Sequence, residues 1–168
     1  TSRCSLQDFL SAGSLCALTM PGFKRPVSVL VVIYTAALDV LLLERAGHPG
    51  YWQSVTGSQE DGESLIETAR REVEEETGIV APRSQFEDWG TTNTFEIFTE
   101  WRHRYAPGVT HNVEHVFSLQ IQEPQVVCIA PDEHLGYCWL AWQEAAEKCF
   151  SWTNRDAIRQ LPEKLHSR

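Results

Sequence analysis

Paired cysteines are missing from this chain: none of the five (Cys4, Cys16, Cys128, Cys138, Cys149) stands in a CxxC pair or at a Cys/His zinc spacing, and their number is odd. A disulfide framework and a zinc ribbon are thereby disfavoured, and the thiols are expected to be reduced, as in a cytoplasmic protein. Long apolar runs are missing too. The longest, Val29 to Tyr34 and Val40 to Leu43, fall well short of the ~20 residues a membrane helix needs, so no membrane partner is expected. Positive charge is in short supply, with 14 Lys and Arg against 23 Asp and Glu and a formal net charge of -9. The bulk field therefore repels nucleic acid and anionic lipid. Methionine occurs once, at Met20, directly before Pro21-Gly22-Phe23-Lys24-Arg25-Pro26. Leu6 to Leu18 is interrupted by Asp8, Ser11, Gly13 and Ser14 and makes a poor signal peptide. The expectation is that translation starts at Met20, that residues 1–19 are an extension, and that residues 20–168 form one domain, with a monomer favoured.

What remains is an ordinary globular composition of 168 residues, 42% hydrophobic and 22% charged, with no repeat or low-complexity segment. Val27 to Tyr34 and Asp39 to Glu44 are β-branched and aliphatic runs of buried-strand length, and Tyr51 to Thr56 predicts a third strand after the breaker Gly47-His48-Pro49-Gly50. Further strands are predicted at Phe86 to Trp89, Asn93 to Phe98, Val113 to Ile121, Gln125 to Ile129 and Tyr137 to Trp142. Helices follow at Trp142 to Lys148 and Asn154 to Leu161. The fold class expected is α/β (α+β), a mixed sheet with helices against it.

From Ser64 to Thr77 the hydrophobic period becomes helical: Leu65, Ile66, Ala69 and Val73 share an arc ~100° wide. Ser64 with Glu67 is a capping box, and Gly78 stands where a glycine ends a helix. Along this helix Glu72 and Glu76 are one turn apart and Glu75 is three positions from Glu72. On the helical wheel Glu76 falls inside the apolar arc and Glu72 at its edge, while Glu67 and Glu74 face away. Two carboxylates ~5 Å apart in a partly buried site repel by roughly 3 kcal/mol at an effective dielectric of 20. Three readings are open: a solvated acidic face, a pair sharing a proton, or a ligand set for a hard divalent cation such as Mg²⁺ or Mn²⁺. Arg71, one turn before Glu75, can pair with it. The loop from Gly57 to Gly62 feeds a strand into the helix N-terminus, so its backbone can approach a metal and a phosphate.

Gly57, five residues, Glu63, seven residues, Arg71-Glu72-Val73, one residue, Glu75-Glu76, one residue, Gly78-Ile79 resembles the complete Nudix box, with no position departing from it. The resemblance implies the Nudix fold, an α/β/α sandwich with a mixed central sheet. It also implies metal-dependent hydrolysis of a phosphoanhydride, with Mg²⁺ as cofactor and Mn²⁺ as a substitute. By that analogy Glu72 and Glu76 are metal ligands, Glu75 is a further ligand or a water-mediated contact, Gly57 contributes from the loop, Arg71 orients a carboxylate, and Glu63 and Gly78 support the box. Glu133, in Pro131-Asp132-Glu133-His134-Leu135, is the candidate for a base or ligand supplied from outside the box.

Outside the box, Lys24 to Ser28, Tyr51 to Gly57, Phe95-Glu96-Ile97-Phe98, Arg102 to Thr110 and Glu133-His134-Leu135 are similar to the bacterial branch of the family that hydrolyses dihydroneopterin triphosphate. That similarity implies a small-molecule triphosphate substrate and contacts from Lys24, Arg45, Thr56, Phe95, Glu96, Ile97, Phe98 and Ser151. Lys24, Arg45 and the Arg102-His103-Arg104 cluster would hold the triphosphate, Phe95, Phe98 or Trp52 would stack on the pterin, and Thr56, Glu96 and Ser151 would meet its polar edge or side chain. A general nucleoside triphosphate pyrophosphohydrolase of the MutT kind and a non-catalytic Nudix sensor domain are the competing expectations.

Overall fold

The computed structural model describes residues 22–168, so the expectations placed on residues 1–19 and on Met20 lie outside the described residues. Val27–Thr35 (β1) and Asp39–Arg45 (β2) form the middle of the sheet, and both are buried on two faces. Because successive side chains on a strand point to opposite sides, Val29, Val31, Ile33, Leu41 and Leu43 enter one core cluster while Leu30, Val32, Tyr34, Val40 and Leu42 enter another. The first is covered by the helix Leu65–Thr77 (α1) through Ala69 and Val73. The second is covered by Trp142–Lys148 (α2) and Trp152–His166 (α3) through Ala145, Ala146, Ala157, Ile158 and Leu161. Helices on both faces of one sheet make an α/β/α sandwich.

The remaining strands are Trp52–Gln53 (β3), Val55–Ser58 (β4), Phe86–Glu96 (β5), His111–Ile121 (β6) and His134–Ala141 (β7). β1 runs parallel to β6 and antiparallel to β4 and β2, β2 carries β3 and β7, and β5 borders β6. The sheet is thus mixed, as expected.

Five elements differ from the sequence reading, β7 among them, which starts three residues earlier than predicted. Tyr51 to Thr56 is not one strand: β3 pairs with β2 and β4 with β1, and Ser54 marks the change of partner. Asn154, from α3, accepts from the Ser54 N–H at 2.7 Å and donates to its Oγ at 3.0 Å, with both residues buried. Phe86 to Trp89 and Asn93 to Glu96 are parts of a single strand, interrupted by a bulge at Asp88 to Thr92 where Gly90 takes a φ of 64°, and Ile97 and Phe98 lie beyond its end. Gln125 to Ile129 forms no strand. Its backbone instead serves its neighbours, Cys128 N–H donating to Thr77 O and Gln125 O accepting from Trp139 Nε1. α3 starts two residues earlier than predicted and continues through Pro162.

α1 is bounded as the sequence indicates. Ser64 and Glu67 exchange both capping-box bonds, and Gly78 closes the helix in the left-handed region at φ 73°. This helix and β4 flank the site, so the Ser54 pin also sets where Thr56 and Gly57 lie. Asn154→Ala leaves the buried Ser54 N–H without its acceptor and is expected to cost about 2 kcal/mol of unfolding free energy, read as a lower urea midpoint with unchanged slope.

Candidate active site

Gly57 pairs with Val29 in the β1–β4 ladder, and α1 crosses so close above it that a Cβ on Gly57 would lie inside the carboxyl group of Glu72. Only glycine fits there. Glu72 is consequently pressed against strand backbone, and Glu76, one turn on, is 2% exposed. Glu74 is exposed, as the helical wheel indicates.

Arg71 organises the acids around this contact. Its Nε and Nη2 meet the two oxygens of Glu63 at 2.5 and 3.1 Å, Nη1 donates to Glu72 at 2.8 Å and to Glu75 at 3.3 Å, and Nη2 also donates to Ser58 O at 3.0 Å. The Arg71 bond holds Glu63 ionised, with a pKa of about 2, and the acids in turn push the guanidinium pKa upward. The same guanidinium ties Glu63 to the loop at Ser58 O. Glu75 is exposed and turned toward Arg71, so it stands outside the closest carboxylate group.

Burial, reinforced by the charge of Glu76, pushes Glu72 up to about 8 despite the opposing Arg71. Glu76 is also raised, by burial first, against the pull of a hydrogen bond to His134 and of the Thr56 backbone N–H. His134 Nε2 lies 3.2 Å from Glu76 Oε2, and oxygens of Glu76 and Glu133 with a ring nitrogen of His134 all fall within 4.8 Å of one another. His134 was not among the candidate ligands. Its signal was its place in Glu133-His134-Leu135, at the first residue of β7, where the bulge beside Arg45 turns the ring inward to 3% exposure. Glu133 precedes it in the turn after Ala130, anchored by Ala46 N–H to Glu133 O at 2.8 Å.

These groups open into one cleft of about 1390 Å³. Lys24, Arg45, Thr56, Gly57, Arg71, Glu72, Glu75, Glu76, Phe95, Glu96, Ile97, Phe98, Glu133 and Ser151 all line it, whereas Glu63 and Gly78 stand behind it. Lys24, Arg45 and Arg104 bring three cations to the same wall. Desolvation and the proximity of Arg104 lower the pKa of both Lys24 and Arg45. Arg45 lies 4.6 Å over the Trp101 ring, which packs edge-on against Phe98 and Phe150. Trp101 is an aromatic wall residue the sequence reading missed.

Several candidates have local partners that qualify their expected roles. Arg102 pairs with Glu96 and donates to Ile97 O at 3.1 Å, and His103 turns to Glu100 O, leaving Arg104 as the member of that cluster in the cleft. Trp52 lies outside the cleft wall, with Lys148 4.7 Å over its ring. Phe98 is 52% exposed, so it is not core, while Ile97 is buried. Ser151 caps α3 by accepting from Asn154 N–H, and Thr56 Oγ1 donates to Val29 O at 2.9 Å.

Four buried side-chain atoms among the described residues have no hydrogen-bond partner: Arg45 Nε, Asn112 Oδ1, Glu114 Oε1 and His134 Nδ1. All four residues line this cleft. Unsatisfied polarity gathered in one cavity marks a place built for ligands. The crowded acids suit a divalent cation, because hard oxygen donors at high pKa are what such an ion stabilises.

A glycine-tight strand edge lies under a paired-carboxylate helix in a cleft that cations also line, and the chain belongs to the NUDIX domain family, a family of hydrolases acting on phosphoanhydride bonds, which it matches over residues 24–161. It is 48% identical over 142 residues to dihydroneopterin triphosphate diphosphatase of Escherichia coli strain K12, covering 83% of this chain and 93% of that protein. The Haemophilus influenzae protein of the same name is 38% identical over 149 residues, covering 87% and 93%. The solved structure of the E. coli dihydroneopterin triphosphate pyrophosphohydrolase superposes with a TM-score of 0.77 over 82% of this chain and 95% of that one.

Protonation of the buried acids makes metal-free stability depend on pH. Unfolded, Glu72 releases its proton near 4.5; folded, it holds it to about 8, so the native state binds more protons in between and loses stability as pH rises through that window. Chelator-treated protein is expected to show a falling melting temperature across this range, and an excess of Mg²⁺ to remove most of the decline.

Proposed function

We propose that this chain is a Mg²⁺-dependent hydrolase that converts dihydroneopterin triphosphate and water to dihydroneopterin monophosphate and pyrophosphate, a step of folate synthesis. The observation that carries the reaction class is the pair Glu72 and Glu76, buried beside Gly57 in a cleft that Lys24, Arg45 and Arg104 also line. The substrate assignment is supported by the 48% identity to the E. coli diphosphatase. Aromatic surfaces for a flat heterocycle in the same cleft, Phe95, Phe98 and Trp101, agree with it.

In this reading Glu72, Glu76 and Glu133 hold the cation, with Gly57 contributing backbone and Glu75 a more distant carboxylate. Mn²⁺ can replace Mg²⁺. When bound, the cation supplies positive charge to the phosphate oxygens and makes an adjacent water more acidic. Arg71 keeps Glu72 and Glu75 oriented, His134 fixes the direction of Glu76, and Glu133, exposed on the turn before β7, is the alternative to a box glutamate as acceptor of the proton from water. Lys24 and Arg45 neutralise the triphosphate, and Glu63 and Gly78 hold the loop and helix end. Phe95, Phe98 and Ile97 shape the heterocycle end, with Glu96, Thr56 and Ser151 at its polar margins.

The same reading makes the protein a monomer acting in the cytoplasm on a small molecule, without nucleic acid or membrane. It is supported by the net charge of -9. Among the described residues no helix is long and apolar enough to cross a membrane, and Cys128, Cys138 and Cys149 are free.

Anion-exchange analysis of products from synthetic dihydroneopterin triphosphate, with and without Mg²⁺, tests substrate, bond and cofactor together. Pyrophosphate and the monophosphate are expected only with the cation, and a higher kcat/KM for dATP or 8-oxo-dGTP would reject the pterin assignment. Glu76→Gln is expected to lower kcat by ~10²–10⁴ while leaving the chain folded, because it deletes one of two mutually repelling charges.

A further inference from the structure

Two of the four unpartnered buried atoms, Asn112 Oδ1 and Glu114 Oε1, belong neither to the carboxylate cluster nor to the cationic wall. Asn112 and Glu114 are two residues apart on β6, so both side chains project from the same face of the sheet, and both line the cleft at 2% and 5% exposure. Each is held from behind. Asn112 Nδ2 donates to Ser28 Oγ at 2.7 Å, and Thr153 and Asn93 hydrogen-bond the Glu114 carboxyl. Across the β5–β6 ladder Phe95 stands opposite Asn112 and Asn93 opposite Glu114. Directly opposed residues share a face, so the Phe95 ring stands beside the two acceptors. The sequence drew no attention to either residue, because a polar side chain on an alternating strand reads as solvent-facing.

A pair of fixed, buried acceptors without donors calls for a ligand edge that carries two neighbouring N–H groups. We propose that Asn112 and Glu114 form the heterocycle-recognition subsite, accepting hydrogen bonds from the ring N–H and the exocyclic amino group of a 2-amino-4-oxo heterocycle packed on Phe95. This rests on, and refines, the reading of the substrate as a pterin triphosphate. Pterin presents that edge, and guanine presents the same pair of donors. Adenine presents an amino group beside an acceptor nitrogen and leaves one of the two oxygens without a partner. Selectivity for the heterocycle therefore comes from β6, on the sheet, while the triphosphate end is handled by Lys24 ahead of β1, by Arg45 of β2 and by β4 and α1. A site built to hydrogen-bond its ligand discriminates strongly against one that lacks the donors.

The test compares wild type, Glu114→Gln and Asn112→Ala. The readouts are kcat/KM with Mg²⁺ for dihydroneopterin triphosphate, dGTP and dATP, and fluorescence titration with neopterin, which carries no phosphate. Glu114→Gln is expected to reduce the pterin-over-dATP and dGTP-over-dATP ratios by ~100-fold, mainly through KM, and Asn112→Ala by ~10-fold. Neopterin binding should weaken in step. Equal losses for all three triphosphates, or neopterin affinity unchanged in both variants, overturns the proposal. Should Glu114→Gln fail to fold by circular dichroism, Asn112→Ala decides the matter by the same ratios. A wild type that prefers dATP in turnover, yet binds neopterin in a Glu114-dependent way, defeats the pterin triphosphate reading and upholds the subsite; a pterin preference that survives both substitutions defeats the subsite alone.

Discussion

Repulsion between the buried carboxyl groups of Glu72 and Glu76 is the constraint around which this molecule is arranged. Burial raises both, the charge of Glu76 adds to the shift of Glu72, and that of Glu133 to the shift of Glu76. Arg71 relieves the outer part of that stress by bridging Glu63, Glu72 and Glu75, and His134 relieves the inner part at Glu76. Neither Arg71 nor His134 reaches both acids, and a divalent ion is a way to keep the two ionised side by side. The polypeptide accepts a local cost in stability to hold these acids together at the cleft.

The sheet makes that arrangement possible. A strand that changes partners at Ser54 brings Thr56 and Gly57 beneath α1, and glycine at 57 allows the helix to approach until the Glu72 carboxyl occupies the space of a side chain. Meanwhile the opposite face of β1 and β6 carries Ser28, Asn112 and Glu114, and one cleft takes in both these residues and the carboxylates of α1. Two chemistries on two faces of the same strands are what an α/β/α sandwich with a split strand can offer.

Much of this was legible from local pattern. The two-faced central strands, the bounds of α1, the inward positions of Glu72 and Glu76 and the outward position of Glu74 all follow from periodicity, and the capping box and Gly78 follow from end chemistry. Elements governed by distant partners were not legible. The break at Ser54 depends on Asn154, a hundred residues on, and the fusion of the two β5 segments depends on a bulge that tolerates Gly90 within a ladder. Gln125 to Ile129 has strand-like composition, yet its backbone is used singly by Thr77 and Trp139. Within the site, His134, Trp101, Asn112 and Glu114 were missed because burial of a polar or aromatic residue among neighbours from other elements leaves no trace in spacing. Trp52 was assigned to the heterocycle from its type, while its packing turns it toward α2.

The most direct measurement is anomalous diffraction at the manganese edge from crystals soaked in a manganese salt. The account predicts a peak bounded by the carboxylates of Glu72, Glu76 and Glu133, with Arg71 still bridging Glu63 and Glu72. A map without density there, and with Glu72 and Glu76 sharing a proton across a direct hydrogen bond, would contradict it.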